Sequence, residues 1–203
     1  MTRPEETVRS TIQKRDDKGV IRNGAEWLAL WADPDSMKSN EEREADRKTA
    51  RARAAAEKYL AATARALSGD ADLTVTFVAD ESRAGSGFTL RRLPRALDDK
   101  ALAAARGEAD SKALLLRYHD RQTHRQQAPA DTDQVRLYDM CEQVRCEAVG
   151  ALAYAGVEQN LIARQIDRLK RLDLLNAHLA SLIPLEEGLQ MVLRDALIGR
   201  DDA

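Results

Sequence analysis

Three neighbouring residues, His119, Asp120 and His124, have the types and spacing that bind a metal ion. On a helix Asp120 and His124 stand at i and i+4, on one face, and His119 is turned about 100° from Asp120. Imidazole with carboxylate suits cobalt, nickel or zinc, so Co²⁺ is the cofactor these residues could hold. Two ligands on one face leave such a site incomplete. His178, or a carboxylate from elsewhere in the chain, would have to finish it. The plainer alternative is a surface Asp–His pair that orients the end of a helix.

A second polar group is threaded through an otherwise apolar stretch, residues 137–161. Leu137, Met140, Cys141, Val144, Ala148 and Leu152 recur at spacings of three and four, the stripe of a helix with one buried face. Glu142, Arg145 and Glu147 ride with that stripe. They could fix helix register as an ion pair or hold a ligand or partner. Gly150 and Gly156 sit where alanine would be better by about 1 kcal/mol each, so each marks either a close approach of another backbone or a break. Cys141 and Cys146 are about 140° apart around a helix, unsuited to pairing with each other or sharing a zinc, and are read as reduced core thiols. No Gly-x-Ser-x-Gly, Gly-x-x-x-x-Gly-Lys or His-Glu-x-x-His occurs, so no autonomous active site is seen.

The elements that must position these groups are mostly helical. Residues 1–45 read as an extension carrying a short helix, Ala25 to Ala32, with Trp27 and Trp31 at i and i+4. It either packs back on the domain or docks in a partner's groove. Residues 46–203 form the domain. A charged helix starts near Asn40 and gains an apolar edge at Tyr59, Leu60, Thr63 and Leu67. Leu73 to Val78 alternates, as does Phe88 to Leu93, which predicts a β-hairpin over 73–93. Helices follow over 98–126 (with a break at Gly107), through the 137–161 stretch, over 157–182, and over 185–198 with Leu189, Val192, Leu193 and Leu197 inward. The expected fold class is mainly α (α+β), a multi-helix domain with one β-hairpin.

Composition agrees with a helical core and excludes several functions. Hydrophobic residues are 43% and charged residues 33%, but aromatics only 4%, so Leu, Ala, Val and Ile must build the interior. The formal net charge of -2 gives no basic excess, which argues against a dedicated nucleic-acid binder. No apolar run approaches the roughly 20 residues that span a bilayer, and the N-terminus has no apolar core of a secretion signal. A cytoplasmic protein with no membrane partner is expected.

Ordered motifs then give a resemblance. Arg106-Gly107, Asp110, Ala113-Leu114, Leu116, His119-Asp120, His124 and Ala128-Pro129 are followed by Glu142-Gln143, Arg145, Glu147-Ala148, Gly150, Gly156-Val157 and Asn160-Leu161. With Arg92-Leu93-Pro94 before them, and Pro184-Leu185, Arg194, Leu197 and Gly199 after, the chain resembles the N-terminal region of the CobT family over roughly residues 50 to 200. That family supplies a subunit of the aerobic, ATP-dependent cobaltochelatase. The resemblance implies a non-catalytic assembly subunit or domain in cobalamin biosynthesis, at most part of a ligase-class enzyme that inserts cobalt into a corrin ring. It implies two partners, an AAA+ ATPase and the large chelatase subunit, and is compatible with an oligomer. Surfaces near Glu142, Arg145, Glu147 and Asn160 would meet the partner, with Trp27 and Trp31 as further anchors. In the family an acidic linker and a von Willebrand A domain with a metal-ion adhesion motif follow this region; no Asp-x-Ser-x-Ser occurs in these 203 residues. The alternatives are a free-standing interaction adaptor and a cobalt-binding module outside the chelatase.

Overall fold

The structure, a computed structural model, describes residues 14–15, 21–22, 38–79, 87–175 and 183–199. The chain divides into two units, 1–50 and 51–203. In the first, β1 (Lys14–Arg15) and β2 (Ile21–Arg22) form a short antiparallel bridge. The expected tryptophan helix lies outside the described residues. Helix α1 (Asn40–Ser68) is opened by Ser39 rather than Asn40. Ser39 Oγ accepts from the N–H of Glu42, and the Glu42 carboxylate accepts from the N–H of Ser39. This reciprocal box satisfies two N–H groups that the first turn would leave without partners.

The second unit is built around α2 (Asp99–Tyr118), which is buried over most of its circumference: Ala104, Gly107, Glu108, Ala109, Asp110, Ser111, Ala113 and Leu114 all leave solvent. Asp98 caps its start by accepting from the N–H of Ala101 at 2.7 Å. Gly107 does not break this helix. A Cβ there would stand 2.0 Å from the carbonyl oxygen of Asn160, so the glycine lets α2 lie against α5 (Val157–Arg171) backbone to backbone. The helix ends at His119, and Asp120 then caps the short α3 (Arg121–Gln127).

The hairpin expected over 73–93 is not formed. β3 (Val75–Val78) and β4 (Phe88–Arg91) pair in parallel, from Val75↔Phe88 to Val78↔Arg91. Side-chain alternation has the same period whichever way a strand runs, so the pattern located both strands without giving their direction. The pair packs on α1 and α2 through Leu60, Leu90, Leu93 and Ala109, with Val75, Phe77 and Phe88 at the margin.

Helix α4 (Thr132–Ala153) and α6 (Leu185–Ile198) complete the unit; α4 keeps most of its apolar stripe inward, and α6 is turned relative to the sequence pattern. α4 buries Met140, Val144, Cys146, Glu147, Ala148 and Gly150, leaving Leu152 69% exposed. α6 buries Glu187, Arg194 and Ile198 and turns Val192 and Leu197 outward. On α6 Glu187 and Arg194 are in while Val192 and Leu197 are out; on α4 Glu147 joins Met140, Val144 and Ala148 inside. Gly156 stands at φ 88 with open space around it and starts α5, so it is the break; at Gly150 it is a side chain and not a backbone that comes close, an added Cβ meeting Leu114 at 2.3 Å. α5 closes at Arg171, short of 182, with Asp173 left-handed just beyond. No helix among the described residues is long and apolar enough to cross a membrane.

Candidate functional site

Glu147 is fully buried in a polar layer shared by four helices. Ser111 Oγ of α2 donates to its carboxylate at 2.5 Å, Arg164 of α5 at 2.8 Å and Arg194 of α6 at 2.5 Å. Gln143 Nε2 adds a fourth contact at 3.2 Å. Burial pushes the Glu147 carboxyl up, but the two guanidinium groups and Ser111 outweigh it, and the net displacement is downward. The layer continues through Gln165 to Glu187, which Arg168 grips at 2.6 Å. A carboxylate with four donors and no solvent access offers a partner no surface and a substrate no route. Glu147 therefore does not belong to an exposed contact surface; it fixes the packing of α2, α4, α5 and α6.

Asn160 is half-buried and donates to Asp110 at 2.8 Å. Asp110 is nearly fully buried, and burial raises its carboxyl above the usual range despite Asn160 and Arg106. The pair lies at a cleft of about 590 Å³ bordered by Tyr59, Leu97, Leu102 and Arg106. Arg145 is half-exposed. It forks onto Glu142, with Nε and a terminal nitrogen each at 2.7 Å, and also donates to the carbonyl of Tyr118 at 2.8 Å. This fork is the main reason that Glu142 is held down at about 2, against burial and with help from His119. Burial of Cys146 beside Glu142 pushes its thiol up to about 11; neither cysteine is in a disulfide, and Cys146 lies in the core while Cys141 is half-buried.

The two histidines meet: their rings lie edge to face with centroids 4.7 Å apart. Asp120 does not join them. Its carboxylate accepts from the N–H of Thr123 at 2.7 Å as the cap of α3. The carboxylates that reach the imidazoles come from α4: Glu142 to His119 Nδ1 at 3.0 Å, and Asp139 to His124 Nε2 at 2.7 Å. Local spacing could not reveal these pairs, because each joins residues on separate helices. Trp27 and Trp31 lie outside the described residues.

A second cleft, of about 640 Å³, opens between α5 and α6. Ile162, Ile166, Leu169, Met191 and Ile198 supply its apolar wall, and Glu158 and Asp195 are among its polar margin. The sequence pattern does not show this surface, because the apolar residues over 185–198 read as core.

No solved structure matches the chain. The family model for cobalamin biosynthesis protein CobT matches residues 53–203, which takes in every helix of the second unit together with the buried Glu147 layer. The chain therefore belongs to the CobT family, and its work lies in cobalamin biosynthesis.

Proposed function

We propose that this chain is a non-catalytic assembly module of an ATP-dependent cobaltochelatase, docking on an AAA+ ATPase partner and on the large subunit that inserts cobalt into the corrin ring. One observation carries the reading: apolar side chains of α5 and α6 stand outside while charged residues of α4 and α6 are buried. Glu147, Glu187 and Arg194 are buried, whereas Ile162, Ile166, Met191 and Val192 face solvent. Clustered exposed apolar residues bordered by charge are the anatomy of a protein contact. An internal ion-pair layer supports this use, since it keeps the bundle rigid while its outer face stays apolar. The docking face is the α5–α6 cleft.

Co-expression with the AAA+ partner tests the proposal. A stable complex that survives purification, with altered ATP turnover, is expected. Separate elution with unchanged ATPase activity would refute it.

A further inference from the structure

Beyond assembly, we propose that His119, His124 and Glu142 form a binding site for a single exchangeable divalent ion of the Co²⁺, Ni²⁺ or Zn²⁺ class. Each residue offers one ligand atom, and these atoms lie within 4.8 Å of one another. Ligands about 2.0–2.2 Å from a shared zinc stand some 3–4 Å apart, so small side-chain rotations close the set. His119 Nδ1 and Glu142 Oε1, at 3.0 Å, already have that separation. The ion replaces the proton they share.

The ligands are held in place before any ion arrives. His119 terminates α2, donating its backbone N–H to Leu115. His124 is fixed by Tyr138, whose ring stacks on it at 4.3 Å, and by Asp139 on Nε2. A carboxylate on one imidazole nitrogen orients the other toward a metal and raises its basicity. Arg145 holds the Glu142 carboxylate in place, and the Glu142 Oε1 that accepts from Arg145 and, at 3.6 Å, from the Cys146 thiol offers the ion the position of its His119 hydrogen bond. All three side chains are about one-sixth exposed, enough for an ion to enter. Two imidazoles and one carboxylate select borderline ions over Mg²⁺ or Ca²⁺. Three protein ligands leave a fourth position open, as in sites that exchange ligands rather than in closed structural ones.

Titration of the full chain with Co²⁺ alone, followed by its ligand-field absorption and repeated as competition with Zn²⁺, tests the site. One equivalent should bind. His124→Ala and Glu142→Gln should each weaken binding by on the order of tenfold or more with helical circular dichroism retained; His124, on a solvent-facing helix, serves if the Glu142 variant fails to fold. Asp120→Asn should bind as wild type, because asparagine caps a helix as well as aspartate. Absence of binding, identical isotherms for wild type and His124→Ala, or an Asp120→Asn loss equal to that of Glu142→Gln would overturn the assignment.

Discussion

Glu147 of α4 and Arg194 of α6 meet at 2.5 Å in the interior, the carboxylate side chain 0% and the guanidinium side chain 9% exposed. They are 47 positions apart in the chain, and Arg164 and Ser111 reach the same carboxylate from two other helices. Removing a charged pair from water is costly. Once it is buried, removing one member alone costs more, because the other is left without compensation.

Glu147→Gln should therefore destabilise the second unit by about 3–5 kcal/mol, a large share of the roughly 5–15 kcal/mol available to a domain. Urea denaturation measures this. The double variant Glu147→Met/Arg194→Met should be less destabilised than the sum of its single changes. Single changes costing under about 1 kcal/mol would show the layer to be solvated.

Acid should act on the same groups. Glu142, held at about 2, and Glu147 and Glu187, both lowered, bind protons more weakly folded than at their ordinary 4.5. Their stabilisation is complete above about 4.5 and is lost as pH falls through the folded values. Asp110 has the opposite sign: raised by burial from 3.8, it costs stability as pH rises past that value. Denaturation curves from pH 7 to 2 should fall steeply at the acid end and less steeply for Glu142→Gln. Relative to wild type, Asp110→Asn should gain stability as pH rises from about 4.

The glycines rank by what surrounds them. Gly107→Ala pushes a Cβ into the Asn160 carbonyl and the Arg164 Cβ, so α2 and α5 must separate, at a cost of about 3 kcal/mol or more. Gly156→Ala meets nothing but adopts a left-handed conformation, costing about 1–2 kcal/mol. Thermal melts should place Gly107→Ala well below Gly156→Ala; the reverse order would contradict the backbone contact between α2 and α5.

Much of the fold was legible because apolar periodicity marks helices reliably. The strands over 75–78 and 88–91 were found, but their parallel pairing was not, since alternation carries no direction. The stripe of α4 is read correctly at Met140, Val144 and Ala148, whereas the inward face of α6 is misjudged at Val192 and Leu197. Periodicity assumes that charges stay outside, and Glu147, Glu187 and Arg194 are inside because each finds a partner there: Glu147 pairs with Arg194 and Arg164, and Glu187 with Arg168. His119 and His124 could be proposed as neighbours from their spacing. That Glu142 rather than Asp120 accompanies them depends on α4 crossing the α2–α3 junction, which only the fold brings about. Asp120 was claimed instead by a local need, the cap of α3.

The most direct test of an outward apolar docking face is the affinity of the AAA+ partner for cleft variants. The account predicts that Ile162→Asp and Ile166→Asp weaken binding by on the order of tenfold or more, the size of effect expected at an interface centre. Their melting temperatures should be unchanged, and Leu152→Asp, outside the cleft, should bind as wild type. Equal affinity for wild type and both cleft variants, or no binding by wild type, would contradict it.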